Sequence, residues 1–247
     1  MSKKHTYHNY EYESPNLFID SSIPSETSFA VKEAYKTIRT NVFLSFQDEG
    51  CKKIVIASSL PHEGKTTTSI NLAIALSMVE KKVLLVDADL RKRKLSNLLK
   101  LSKTKGLTDI LSDTVSTKDA INIMTYKNLH VLSTGSETAT PAEVFASVEF
   151  SDLIKELEPL YDYIVFDVPP INVVSDALPI IKNSDGVLFI VRENLSTHKD
   201  LKESLASLEL INANILGLVY LGNSSSQPYY NRKPYRKYKA YYDGYGD

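Results

Sequence analysis

The residues best suited to chemistry lie in one short stretch, where Gly64-Lys65-Thr66 follows a β-branched run that begins at Ile54. A strand that turns through glycine into a helix forms a phosphate-binding loop, because backbone N–H groups of the loop and the helix start face a polyphosphate. In such a loop Lys65 reaches the β- and γ-phosphates of ATP, and the Thr66 hydroxyl binds Mg²⁺. The full pattern has glycine where Ser59 stands, so the prediction depends on context as well as on the triplet. The predicted nucleotide contacts are Glu63, Gly64, Lys65, Thr66 and Thr67.

Three aspartates follow apolar runs that are typical of buried parallel strands. One run, 83–86, leads into Asp87-Ala88-Asp89, and another, 163–166, leads into Asp167. Carboxyl ends of parallel strands face the crevice where open α/β sheets bind ligands. There a carboxylate can orient Mg²⁺ or accept a proton from an attacking hydroxyl, although any one aspartate could instead cap a turn. The predicted metal ligands are Thr66, Asp87 and Asp167, and the predicted catalytic residues are Lys65, Asp87 and Asp89, with either aspartate as the base.

A basic run, Arg91-Lys92-Arg93-Lys94, comes directly after the second acidic motif. Basic runs are usually solvated surface. Beside a phosphate site, however, such a run could neutralise nucleotide charge or bind an acidic partner. The sequence alone leaves these readings open.

The elements needed to position these residues alternate along the chain. Helices are predicted over 28–46, from the loop to about 80, over 141–159 and over 197–210. Strands are predicted over 53–58, 83–87, 129–132, 186–191 and 214–220, with a further strand ending at Asp167, and short helices and loops over 95–128. Strands that alternate with helices predict an α/β fold with a doubly wound, mostly parallel sheet of the P-loop type.

Composition limits the class of protein further. The 247 residues are 43% hydrophobic with a formal net charge of −1, which suits one α/β domain and excludes a general polyanion binder. The single cysteine, Cys51, excludes a disulfide framework, and no apolar stretch is long enough to cross a membrane.

The two ends of the chain differ in character from its middle. We predict a mobile arm over 1–27, the catalytic domain over 28–221 and a flexible tail over 222–247. Seven of the 15 tyrosines lie in the tail among five Arg and Lys residues, without the aliphatic side chains that a core needs. The predicted phosphorylation sites are Tyr229, Tyr230, Tyr235, Tyr238, Tyr241, Tyr242 and Tyr245. The other reading is an arm that stacks on single-stranded nucleic acid or lies on an anionic membrane.

Together these motifs resemble the bacterial protein-tyrosine kinases of capsule and exopolysaccharide synthesis, which derive from P-loop ATPases related to chromosome-partitioning proteins. The resemblance covers 28–247. It is specific in the loop over 61–66, the acidic motif over 86–92, the strand and proline pair over 164–170, and the tyrosine-rich end.

The resemblance implies ATP and Mg²⁺ as cofactors, and autophosphorylation of the tyrosine cluster in trans within a ring of subunits. It also implies a cognate protein-tyrosine phosphatase, other protein substrates and no nucleic acid. Family members carry Glu, Arg and Arg at the subunit contact, where this chain has Glu33, Lys36 and Arg39. Relatives place Asn where Leu221 stands, so their base contact does not carry over. Members separate from their activator depend on a transmembrane adaptor, which implies a cytoplasmic kinase held at the membrane through that partner.

Three other functions compete with this one. A partitioning-type ATPase switch usually has a second loop lysine at the position of Leu60, and its absence argues against that class. A nucleic-acid-binding ATPase would use the tail as a stacking arm. A kinase of small molecules would leave the tyrosine tail without a use.

Overall fold

The computed structural model describes residues 25–101 and 105–222, with side chains from residue 30 onward. The described helices are α1 (Ser25–Ser45), α2 (Lys65–Ser77), α3 (Lys94–Leu98), α4 (Leu107–Leu111), α5 (Thr117–Ala120), α6 (Pro141–Ala146), α7 (Val148–Leu157), α8 (Ala177–Lys182) and α9 (His198–Leu210). The described strands are β1 (Lys52–Ser58), β2 (Val83–Asp87), β3 (Ile121–Ile123), β4 (Leu129–Leu132), β5 (Tyr163–Asp167), β6 (Gly186–Arg192) and β7 (Ile215–Leu221).

Seven strands form one sheet in the order β3-β4-β2-β5-β1-β6-β7. All neighbouring pairs are parallel except β3 with β4 at one edge. The central strands β2 and β5 are buried along their whole length, which explains why both are continuous apolar runs. The predicted α/β class with a doubly wound, mostly parallel sheet is therefore confirmed.

Helices cover both faces of the sheet, and each face has its own core. On one face α1, α2 and α3 contribute Tyr35, Val42, Leu72 and Leu95 to the packing. The opposite core includes Phe145, Phe150 and Leu208 from α6, α7 and α9. Parallel strands covered on both faces can bind a ligand only beyond their ends, so the site is confined to the loops at the edge of the sheet.

The structure differs from the predicted elements in several places. The three-residue strand β3 lies within the stretch predicted as helices and loops, where it is too short to show a period of two. Helix α8 was not predicted at all, because prolines at 169, 170 and 179 surround and interrupt its pattern. Helix α2 ends at Ser77 instead of near 80, and α1 begins at Ser25, inside the segment predicted as an arm.

Among the described residues, no helix is long and apolar enough to cross a membrane. The tyrosine-rich tail beyond 222 and residues 1–24 of the predicted arm lie outside the described residues. The single cysteine is half-buried at the start of β1, where burial raises the pKa of its thiol to about 12.

Candidate active site

The loop between β1 and α2 has the backbone shape of a phosphate cradle. His62 and Gly64 both adopt positive φ angles, of 66° and 96°. Gly64 then immediately precedes α2, and its carbonyl accepts the N–H of Thr68 at 2.9 Å. The first N–H groups of a helix have no partner within the helix, so those of α2 are free to bind an anion. Lys65 and Thr66, buried at the start of α2, are brought to the same place.

Lys65 is held by the loop that it follows. Its Nζ donates to Ser58 Oγ at 2.8 Å and lies 3.5 Å from the carbonyl oxygen of Leu60. Burial lowers the pKa of this lysine, against the opposing attraction of Asp167 and other carboxylates. The ammonium group is therefore already desolvated and oriented, and a phosphate oxygen could replace its hydroxyl partner.

Glu63 is predicted only as a nucleotide contact, but in the structure its side chain stabilises the phosphate loop through hydrogen bonds. The residue is fully buried, and its carboxylate accepts the N–H of Leu60 at 2.6 Å. It also accepts the hydroxyl of Ser196, from the loop between β6 and α9. Arg192, at the end of β6, donates to the carbonyl oxygen of His62 at 3.2 Å. These contacts tie the cradle to a neighbouring strand, and nothing in the local sequence signals that Ser196 and Arg192 take part.

Leu221, the last residue of β7, closes against the same loop. A β-carbon built on Gly64 would lie 2.5 Å from Leu221 Cδ1, so the two residues are in close contact. Glycine is needed at position 64 for two reasons. A larger residue would overlap with Leu221, and the φ angle is one that other residues rarely adopt. The sequence marked Leu221 as a departure from the relatives' pattern but did not reveal this contact.

Asp87 and Asp167 face each other as paired residues at the ends of β2 and β5. Asp167 is buried, accepts the hydroxyl of Ser69 at 3.1 Å and is hydrogen-bonded to Thr66. Asp87 is also buried. One of its oxygens accepts both the N–H and the hydroxyl of Ser96, at 2.8 and 2.5 Å. Burial, followed by repulsion from Asp167, raises the pKa of Asp87 to about 7. Burial raises the pKa of Asp167 to about 6, although its hydrogen bonds and Lys65 act in the opposite direction.

Asp89 lies at the same edge but also shapes the turn that follows it. Its carboxylate accepts the N–H of Lys92 at 3.1 Å, and its carbonyl oxygen accepts the N–H of Arg93 at 2.9 Å. Arg91 then forms a two-pronged ion pair with buried Asp176, at 2.6 and 3.1 Å. Sequence reasoning missed Asp176, which ties the acidic motif to the start of α8.

The residues present fit a magnesium ion held jointly with phosphates. The second oxygen of Asp87 is buried without a hydrogen-bond partner, so this carboxylate has an unused acceptor, and the residue pairs in register with Asp167. Thr66 adds a hydroxyl beside Asp167. Within the described ranges, no cluster of three or more His, Cys, Asp or Glu residues could hold a metal by itself. That is the pattern expected for Mg²⁺, which usually takes one or two carboxylates together with substrate phosphates and waters.

The predicted oligomer contacts are distributed unevenly on α1. Glu33 and Lys36 form an ion pair of 2.6 Å with both side chains substantially exposed. Arg39 instead donates to the carbonyl oxygen of Ala75 at 2.9 Å and so attaches α1 to α2 within the same chain. Thr67, the last predicted nucleotide contact, is exposed on the first turn of α2.

Comparison with known proteins identifies the family to which the chain belongs. The family model of an AAA domain matches residues 51–216. Tyrosine-protein kinase YwqD of Bacillus subtilis is 34% identical over 195 residues, which cover 79% of this chain and 82% of YwqD. The kinase domain of the Escherichia coli tyrosine kinase ETK superposes with a TM-score of 0.75 at 27% identity, over 92% of this chain and 86% of that domain. The chain belongs to the bacterial tyrosine-protein kinases. It is a protein-tyrosine kinase with a P-loop domain, as the sequence predicted.

Two further comparisons place this kinase within its relatives. A putative tyrosine-protein kinase of Klebsiella pneumoniae is 29% identical over 84% of this chain, but the match covers only 28% of that longer protein. The septum site-determining protein MinD of Pyrococcus horikoshii, solved with Mg-ADP, is 26% identical with a TM-score of 0.56, over 69% of this chain and 70% of MinD. The nucleotide-binding architecture is thus shared with ATPases that are not named kinases.

We predict that Gly64→Ala abolishes nucleotide binding, because the new methyl group meets both an unfavourable φ and Leu221. The change of φ alone should lower the free energy of unfolding by about 1–2 kcal/mol, and the overlap with Leu221 by about 1–3 kcal/mol more. Gly50→Ala is the matched control, because its φ is 93° but no atom lies within 4 Å of the new methyl. Chemical denaturation and titration with a fluorescent ATP analogue would measure both effects. Equal destabilisation by the two substitutions would contradict the contact with Leu221.

Asp87→Asn should make the nucleotide-free kinase more stable above neutral pH. The pKa of Asp87 is raised to about 7 in the folded protein, whereas in the unfolded chain this carboxyl already loses its proton near pH 4. The free energy of unfolding therefore falls as the pH rises from about 4 to about 7. At pH 8 the substitution should recover about 2–4 kcal/mol, given about 1.4 kcal/mol per pKa unit. Urea denaturation at pH 5 and pH 8 would test this. Asp113→Asn, at an exposed aspartate, should show no such difference between the two pH values.

Proposed function

We propose that this kinase transfers the γ-phosphoryl group of Mg²⁺–ATP to tyrosines of its own C-terminal segment, in trans, and thereby regulates the synthesis and export of a capsular or extracellular polysaccharide. The observation that carries the proposal is the convergence of Lys65, Thr66, Asp87 and Asp167 at one edge of the sheet. Phosphoryl transfer depends mainly on positioning and on stabilising charge, and these residues are suited to both.

Each proposed role follows from the geometry of the residue. Lys65, desolvated beside Ser58, would bind the β- and γ-phosphate oxygens together with the free N–H groups of α2. Thr66, Asp87 and Asp167 would hold Mg²⁺, which supplies charge neutralisation between the phosphates. Asp89 is more exposed than Asp87, and it does not pair with a carboxylate on a neighbouring strand as Asp87 does with Asp167. We therefore propose that Asp89 is the base that accepts the proton of the attacking tyrosine hydroxyl.

The acceptor would be the tyrosine cluster over 229–245, which belongs to the segment proposed as an autophosphorylation tail. The last described residues before it are Leu221, which ends β7 in contact with the phosphate loop, and Gly222. The tail therefore begins next to the site of transfer. We propose that a neighbouring subunit of a homo-oligomeric ring presents its tail, with Glu33, Lys36 and Arg39 of α1 at the subunit contact.

A membrane partner completes the proposal. The Klebsiella relative is far longer than this chain, whereas YwqD is of similar length. We propose that this kinase, like the shorter members, is activated by a separate transmembrane adaptor that holds it at the cytoplasmic face of the membrane. A cognate protein-tyrosine phosphatase would reverse the modification, and other proteins would serve as further substrates.

The first test is intact-mass and tandem mass spectrometry after incubation with Mg²⁺–ATP, with and without a peptide from the adaptor's cytoplasmic tail. We expect added phosphoryl groups confined to Tyr229–Tyr245 and none in Lys65→Met, because that variant lacks the phosphate-binding ammonium group. Lys155→Met, at an exposed lysine of α7, is the control and should remain active. ATP turnover without any gain in mass, even with the peptide, would instead support a partitioning-type switch.

A second test concerns the ring. From Tyr229 onward the unmodified tail carries five Arg or Lys residues and two Asp, so its formal charge is 5 − 2 = +3. Each phosphotyrosine adds a charge of roughly −1.5 to −2, so two or three should erase the attraction of the tail for an acidic crevice. We expect light scattering to give a smaller particle mass for the phosphorylated protein than for the same sample treated with a tyrosine phosphatase. Equal masses in the two samples would refute the proposed disassembly.

A further inference from the structure

The four basic residues after the second acidic motif have different surroundings. Arg91 is committed to its ion pair with Asp176. Arg93 is half-buried and adopts a left-handed backbone conformation, with φ 48° and ψ 37°, immediately before α3. Lys92 and Lys94 are exposed, and neither forms an ion pair with another described residue. The run is therefore not a uniform solvated surface, and two of its cations are available to a ligand.

Backbone contacts fix Lys94 beside the acidic edge of the sheet. On its N-terminal side, Arg93 N–H donates to the carbonyl oxygen of Asp89 at 2.9 Å. On its C-terminal side, Ser96 donates twice to Asp87, at 2.8 and 2.5 Å. Lys94 thus lies between Arg93, which is hydrogen-bonded to Asp89, and Ser96, which is hydrogen-bonded to Asp87. Its ammonium group is also near enough to Lys65 to contribute, after burial, to the lowered pKa of that lysine.

The charge of the crevice favours a second cation. Three carboxylates, those of Asp167, Glu63 and Asp89, lie near enough to the ammonium group of Lys65 to raise its pKa against burial. ATP brings further negative charge, and its terminal phosphate, the group that is transferred, carries more of it than either of the other two phosphates. The phosphate loop supplies no second lysine, because Leu60 stands at the position where related ATPase switches carry one.

We propose that Lys94 supplies the missing second cation, by extending from the turn after β2 to the γ-phosphate of bound ATP. A flexible lysine stem, with no competing ion pair, can reach a phosphate without rearrangement of the fold. The anchored turn places it on the side of Asp87 and Asp89, where the acceptor hydroxyl would approach. Loss of Lys94 would therefore weaken the binding of ATP alone, whereas loss of Lys65, which contacts the β-phosphate as well, would weaken the binding of both ATP and ADP.

The decisive measurement is the affinity of the unmodified protein for ATP and for ADP, each with Mg²⁺, by isothermal titration calorimetry. We expect Lys94→Met to weaken ATP binding about tenfold while ADP binding changes less than twofold, since a charge-assisted contact to the γ-phosphate is lost. Lys92→Met is the matched control from the same exposed run and should leave both affinities unchanged. Lys94→Gln should behave as Lys94→Met, and unchanged melting temperatures without nucleotide would show that the fold is intact.

A charge-restoring variant tests the role directly. Leu60→Lys in the Lys94→Met background places an ammonium group on the phosphate loop and should recover part of the preference for ATP over ADP. An ATP-to-ADP affinity ratio that is the same in Lys94→Met, Lys92→Met and the parent protein would overturn the proposal. The inference rests on the proposed ATP site, but the two fail differently: Lys65→Met should weaken both nucleotides, and absence of any ATP binding by the parent protein would refute the site itself.

Discussion

The arrangement of the whole site depends on two carboxylates that are forced together by the sheet. Asp87 and Asp167 end neighbouring strands in register, and both are buried. Burial is the main cause of the raised pKa of each carboxyl, and repulsion from Asp167 raises the pKa of Asp87 further. A bound cation would stabilise the fully ionised pair further than Lys65 and the hydrogen bonds from Thr66, Ser69 and Ser96 do. The fold therefore keeps two carboxylates close together in a buried place, and Mg²⁺ with a nucleotide would stabilise their charges. The site is thus preorganised for its ligands.

The remainder of the structure holds this pair and the phosphate loop in place. Ser69 and Thr66 on α2 hydrogen-bond to Asp167, and Ser96 on α3 hydrogen-bonds to Asp87. On the other side of the loop, Glu63 accepts hydrogen bonds from the loop itself and from Ser196. Asp87, Asp167 and Glu63 are thus each held by a residue from a different element. Rigid support of this kind is what positions a transferring phosphoryl group without covalent chemistry.

The parts of this arrangement that the sequence could predict are those encoded by local patterns. The apolar runs before Asp87 and Asp167 predict buried parallel strands, and Gly64-Lys65-Thr66 predicts a loop leading into a helix, as the structure confirms. Contacts between distant segments leave no such pattern. Asp176 pairs with Arg91 across 85 positions, and Ser196 reaches Glu63 across 133. Short elements were also missed, because three residues in β3 and a proline-flanked α8 are below the length at which periodicity is visible.

Fold alone does not separate a kinase from an ATPase switch in this architecture. MinD shares the domain over 69% of this chain, yet its name describes placement of a septum and not transfer to protein. In this chain the features that bear on the choice between the two functions lie at the margins of the sheet. The phosphate loop has Leu60 near its start, Leu221 packs on Gly64, and the chain then continues from β7 into a segment rich in tyrosine. The close contact between Leu221 and Gly64 brings the start of that segment to the phosphate loop itself. Under the proposed function, the nucleotide site common to these proteins would serve protein phosphorylation because the segment that follows β7 would supply the acceptor tyrosines to a neighbouring subunit.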